Sequence, residues 1–156
     1  TSRRVALLCS QWVKIVDVSR ERPTLLRYYA PLDDQLKDVS FVPGPLAPAG
    51  RPGPARTEPD DGLVMLLMGS SGAVFSQPLS LPRAVAAAPA APAASPLPLS
   101  RRLAVPAHLH SRLGATLHYS RPTNLLFTAY SDGRSFALRL SPEATEAVAG
   151  FALHPV

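Results

Sequence analysis

The chain has 156 residues, enough for one ordinary hydrophobic core, and its 18 prolines concentrate in two tracts that leave the remainder with normal globular composition. A formal net charge of +5 comes almost wholly from arginine, with only Lys14 and Lys37 as lysines, and it is spread over pairs such as Arg3-Arg4 and Arg101-Arg102, which argues against a nucleic-acid-binding patch. One cysteine, Cys9, excludes an internal disulfide and a cysteine-based zinc site, and the longest aliphatic run, Leu63 to Met68, is far short of the ~18 residues that cross a bilayer.

Val5 to Cys9 is a short apolar run, and Trp12 to Val18 follows after Ser10-Gln11 as an alternating strand. Arg20 to Pro23 breaks the pattern, because proline supplies no ladder N–H and restricts the residue before it. Thr24 to Ala30 reads as a further strand. Another runs from Leu36 to Val42, with Leu36, Asp38, Ser40 and Val42 on one face and Lys37, Val39 and Phe41 on the other, so that either face could be the buried one. Residues 43–62 hold six prolines and are expected to be a loop, since the tract buries too little to offset its ordering entropy. A hairpin then spans 63–81, with Gly69-Ser70-Ser71-Gly72 as its turn. Residues 82–100 form a second, Ala/Pro-rich loop with extended tendencies.

Residues 101–156 are expected to carry more strands: Arg101 to Val105, Ala115 to Ser120, and the pair Leu125–Tyr130 and Arg134–Leu140 around Ser131-Asp132-Gly133. That last pair is the clearest hairpin in the chain, because Asp-Gly between alternating runs lets glycine take positive φ without a Cβ clash. Glu143 to Val148 has some helical propensity, yet a strand over Ala147 to Leu153 is favoured. The start at Thr1 and the apolar stretch Phe151 to Val156 suggest a piece of a longer chain, and no charged-then-apolar leader opens it.

Three hairpins, those over residues 6–19, 65–80 and 126–141, superpose as strand, polar turn and alternating strand, each closing on a serine: Ser19, Ser80 and Ser141. They recur about sixty residues apart, and removing a proline-rich tract of about twenty leaves about forty, the period of a four-stranded propeller blade. The expected fold is therefore all-β, a partial WD40-like β-propeller of about two to three blades, with residues 1–42, 63–81 and 101–156 as blade strands and two disordered insertions between them. A β-sandwich or a mixed α+β domain with long loops competes with it.

Val13-Lys14-Ile15-Val16-Asp17-Val18-Ser19 looks like the end of a WD repeat with valine in place of the tryptophan. Lys14 to Ser19, Leu25 to Asp34 and Lys37 to Val42, followed by Leu117 to Ser120, Leu125-Leu126-Phe127, Tyr130 and Asp132 to Phe136, are similar in order and spacing to a β-propeller segment of the giant UBR-type ubiquitin ligases called BIG in plants and Pushover or calossin in animals. The resemblance implies a cytosolic ligase of the N-degron pathway, linked in plants to auxin transport and endomembrane traffic and in animals to calmodulin. That family's UBR box and catalytic zinc module both need Cys/His clusters, and this chain has one cysteine and four scattered histidines, so it implies a non-catalytic scaffold or protein-interaction segment here. Other propeller readings are an unrelated WD-type adaptor and an enzyme whose site lies outside these residues.

Individual residues add no chemistry, and no catalytic, cofactor-binding or metal-ligating residue is assigned. His108 and His110 would share one side of a strand with His118 nearby, but no cysteine or carboxylate close in sequence completes a metal site. Gly69-Ser70-Ser71-Gly72 lacks the Gly-x-Ser-x-Gly spacing of a nucleophile elbow and reads as a turn. Asp33-Asp34 and Asp60-Asp61 are expected to be solvated loop pairs. Trp12, Tyr119 and Phe136 are expected in the core or on a sheet face, and Ser95-Pro96 and Ser141-Pro142 are weak phosphorylation motifs.

Overall fold

The computed structural model describes residues 3–43, 63–79 and 95–154; the proline-rich segments 44–62 and 80–94, and with them Asp60-Asp61, lie outside the described residues. Among the described residues there are eleven strands: β1 (Arg4–Leu8), β2 (Val13–Asp17), β3 (Thr24–Ala30), β4 (Leu36–Pro43), β5 (Leu63–Gly69), β6 (Val74–Leu79), β7 (Leu97–Pro98), β8 (Gly114–Ser120), β9 (Leu125–Tyr130), β10 (Ser135–Leu140) and β11 (Ala147–Leu153). They build three sheets, in the orders β1-β2-β3-β7, β4-β5-β6 and β8-β9-β10-β11. The fold is all-β, with no α-helix among the described residues.

The strands expected outside the proline tracts form except for Arg101 to Val105, and two further details differ. Leu97–Pro98, expected within a loop, pairs parallel with the end of β3. Arg101 to Val105 is not a regular strand: it touches its neighbours through two isolated bridges, Phe75 with Arg102 and Ala104 with Glu146. The Ser76 N–H donates to the Arg101 carbonyl at 2.9 Å and the Leu103 N–H to the Val74 carbonyl at 2.7 Å, so this segment still acts as a fourth, outer member of the second sheet. Around His108 the backbone makes a single 3-10 turn, Ala107–Leu109, rather than a strand. Pro106 has φ −55°, close to the value its ring imposes, and it immediately precedes that turn. Ala147 to Leu153 is a strand, as favoured over a helix, because β10 offers it a full ladder of partners.

The second and third sheets repeat one another residue by residue. Leu36 pairs with Gly69 and Asp38 with Met68, leaving Lys37 as an extra residue; Gly114 pairs with Tyr130 and Thr116 with Ala129, leaving Ala115 as the same extra residue. A β-bulge at one fixed place in two strands bends both alike. The turns match as well. Gly72 and Gly133 have φ of 90° and 89°, and their N–H groups donate to the Gly69 and Tyr130 carbonyls, each at 3.0 Å. In the first sheet Cys9 donates to Trp12, closing a shorter turn at the corresponding place.

Two apolar clusters lie between the three sheets. One joins Val13, Ile15 and Tyr29 to Leu36, Met65, Leu67, Phe75 and Leu79. The other joins Val64, Leu66, Met68 and Val74 to Leu117, Leu126, Tyr130, Phe136 and Leu138. β5 is therefore buried along both faces, with alternate residues serving different clusters, which explains why Leu63 to Met68 is continuously apolar rather than alternating. β4 answers its ambiguous pattern in the same way: Val39 packs toward the first cluster, while Val42 enters the second.

Candidate functional site

The turns of the three sheets meet along one rim, and backbone geometry sets them there. The Leu36 N–H, at the start of β4, donates to the Ser10 carbonyl in the β1–β2 turn at 2.7 Å; the Gly114 N–H, at the start of β8, donates to the Ser70 carbonyl in the β5–β6 turn at 3.1 Å. Within the sheets Ser70 donates to the Gln35 carbonyl at 2.7 Å and Ser131 to the Leu113 carbonyl at 2.9 Å. The β5–β6 turn is thus bonded both to the lead-in of its own sheet and to the next sheet, the β1–β2 turn to the next sheet and the β9–β10 turn to the lead-in of its own.

Side chains reinforce these ties. Asp34 accepts from the Ser70 hydroxyl at 2.9 Å, from the Ser71 and Gln35 N–H groups at 3.2 and 2.8 Å, and from the Ser71 hydroxyl. Partial burial pushes the Asp34 carboxyl up, but the Ser71 and Ser70 hydroxyls and the two backbone donors outweigh it and hold it below the usual carboxylate range. In the third sheet the roles are exchanged: Ser111, ahead of β8, donates to Asp132 in the turn, and this bond, with the Arg134 N–H, lowers the Asp132 carboxyl. Asp34 was expected to be merely solvated. It is instead the acceptor that ties the β3–β4 loop to the β5–β6 turn, and a pairing across 36 residues leaves no local signal in the sequence.

Close approach accounts for two of the glycines. A Cβ on Gly69 would lie 2.2 Å from Asp34 Oδ2, and one on Gly72 would lie 2.2 Å from the Ser111 carbonyl oxygen. His110 donates from Nε2 to the Gly72 carbonyl at 2.9 Å, and its ring stands edge-on to Tyr130 at 5.8 Å between centroids. The three candidate histidines are not brought together: His108 is exposed in the 3-10 turn, His110 is held by Gly72, and His118 is exposed on β8. Among the described residues no group of three His, Cys, Asp or Glu side chains could hold a metal.

Beside the rim, between β6 and residues 102–110, lies a cleft of about 310 Å³ lined by Ala73, Val74, Leu103, Val105 and Ala107 with Arg102 and His110. Its walls carry two basic groups and no carboxylate, and the Arg102 guanidinium lies 5.7 Å over the Phe75 ring. Ser70 and Ser71 donate to the Asp34 carboxylate and Ser111 to that of Asp132, each of which also accepts from backbone N–H groups, and the His110 Nε2–H donates to a carbonyl. These bonds hold the turns against the loops ahead of β4 and β8.

The expected aromatic positions are as follows. Phe136 and Tyr119 are buried in the cluster between the second and third sheets. Trp12 is half-buried on the first sheet, where it meets Tyr28 edge-on at 6.3 Å with the Lys14 ammonium 4.4 Å from its ring. No protein-family profile and no curated protein matches this sequence. No helix among the described residues is long and apolar enough to cross a membrane.

Proposed function

We propose that the three sheets are consecutive parts of a β-propeller that acts as a non-catalytic scaffold and protein-interaction segment, within a ubiquitin ligase of the BIG type. The observation that carries the propeller is the recurrence of one set of inter-sheet bonds. Ala30 and Ala104 occupy corresponding outer positions, two residues past Tyr28 and Arg102, the partners of Lys14 and Phe75. The Leu99 N–H donates to the Ala30 carbonyl at 3.0 Å and the Ala147 N–H to the Ala104 carbonyl at 2.8 Å, each beside a parallel bridge. Successive sheets thus meet through the same groups at the rim and at the outer edge, as radially repeated sheets do and as the two layers of a sandwich do not.

The scaffold role is supported by the rim chemistry, where Asp34 and Asp132 each accept the bonds that fix a turn. The ligase assignment rests on the ordered resemblance from Lys14 to Phe136 alone. Reading the complete transcript that encodes these residues tests it: a downstream Cys/His cluster of the UBR type is expected. A complete reading frame with further blades and no such cluster would remove the ligase and leave a WD-type adaptor.

A further inference from the structure

Two Ser-Pro motifs stand in the chain, and the structure separates them. Ser141 is 8% exposed, and its hydroxyl oxygen accepts from the Thr145 and Glu146 N–H groups at 3.1 and 3.2 Å, within the turn between β10 and β11. A kinase cannot reach it in the folded chain. Ser95 is exposed, as are Pro96, Leu97 and Pro98 after it, and it stands directly ahead of β7.

Residues 95–99 act as a strap along the outer edge of the first sheet. Their far end is anchored: the Leu99 N–H donates to the Ala30 carbonyl at 3.0 Å, and the Leu99 side chain, 4% exposed, enters the cluster between the first and second sheets. The near end is held by less, because Pro96 and Pro98 supply no N–H. β7 runs parallel to β3, with Leu97 beside Tyr29 and Pro98 beside Ala30. Two residues back along the two chains lie Ser95 and Arg27. Neighbouring strands run ~5 Å apart, within the reach of an arginine side chain. Arg27 is half-buried and donates from Nη1 to the Leu26 carbonyl at 2.8 Å, a bond that uses one of the five N–H donors of a guanidinium.

We propose that Ser95 is a phosphorylation site for a proline-directed kinase, and that its phosphate pairs with Arg27 and fastens the near end of the strap to β3. The Ser95 hydroxyl oxygen attacks the γ-phosphorus of a nucleoside triphosphate held by the kinase. The bond to the bridging β–γ oxygen breaks, the nucleoside diphosphate leaves, and the hydroxyl proton passes to the base of the kinase. The product carries a charge of about −1.5 to −2 and three acceptor oxygens, which suit the guanidinium fork. Both partners belong to this chain, so the pairing needs no second molecule.

Treating the 156-residue chain with a proline-directed kinase of the mitogen-activated class and Mg-ATP, followed by mass-spectrometric mapping and hydrogen exchange, tests both halves. Phosphate is expected on Ser95 and not on Ser141, and none is expected on Ser95→Ala. The Leu97 amide, the one N–H between Ser95 and Leu99, is expected to exchange about fivefold more slowly after phosphorylation, the order of effect of a surface charge pair. That slowing is expected to vanish in molar salt and in Arg27→Gln. A chain modified on Ser141 in preference to Ser95, or not modified at all, overturns the site. Leu97 exchange that ignores the phosphate, or slows equally in Arg27→Gln, overturns the pairing. Should Arg27→Gln fail to fold, salt decides on the wild-type phosphoprotein: slowing that persists in molar salt overturns the pairing with Arg27.

Discussion

At the scale of residues, two glycines with the same φ do different work. Gly133 has open space around its missing Cβ, so Gly133→Ala is expected to lose only the left-handed penalty, about 1–2 kcal/mol. Gly72→Ala adds a collision with the Ser111 carbonyl oxygen and is expected to lower the melting temperature further; equal losses in thermal denaturation would contradict the contact between the turn and residues 110–113. The carboxylates give a pH dependence whose sign is fixed by their lowered pKa values. A group depressed by folding stabilises fully above its unfolded pKa, near 3.9, and loses that contribution as pH falls through the folded value. Wild type is therefore expected to exceed Asp34→Asn in stability at neutral pH, the gap closing below about pH 4; a gap independent of pH would show that Asp34 is not the acceptor described.

At the scale of elements, the inner strands are joined by side chains standing in for a ladder. Asp38 on β4 accepts from the Leu117 N–H at 3.1 Å and from the Thr116 hydroxyl, and the Ser40 hydroxyl oxygen accepts from the Tyr119 N–H at 3.0 Å. Asp38→Ala would leave the N–H of a residue only 3% exposed without its acceptor, at an expected cost of about 1–3 kcal/mol. A double-mutant cycle with Thr116→Val checks it: coupling near zero would mean that the two strands do not communicate. Much of this was legible in the sequence. Apolar runs, alternation and polar turns placed the strands of all three hairpins, with glycine marking the turn in the second and third only, because strand period and positive φ are local properties. The bonds of Asp34, Asp38 and Ser111 were not legible: Asp34 and Ser111 meet a turn of their own sheet across 36 and 21 residues and Asp38 reaches the next sheet across 79, separations that leave no local signal. His108, read with His110 as sharing one side of a strand, lies instead in a 3-10 turn that starts directly after Pro106.

At the scale of the whole molecule, the second and third sheets share one plan of bulge and hairpin, and the proline tracts fall in connections between strands, where insertion is cheap. Doubling a connecting loop adds only about 0.6 kcal/mol of closure entropy, whereas removing the shared core is expensive. Leu66 is 0% exposed between the second and third sheets, and Leu66→Ala is expected to cost about 2–5 kcal/mol in urea denaturation. The repeat was visible in the sequence as three similar hairpins, but the rule joining one sheet to the next was not, because it runs through backbone groups that carry no residue identity. Four amides embody that rule: Leu36 and Gly114 at the rim, Leu99 and Ala147 at the outer edge. Native-state hydrogen exchange read residue by residue is the most direct test. All four are predicted to exchange as slowly as amides inside β5 and β9, since each bonds to the preceding sheet; exchange of all four at the rate of open loops would mean that the sheets are not stacked by a common contact.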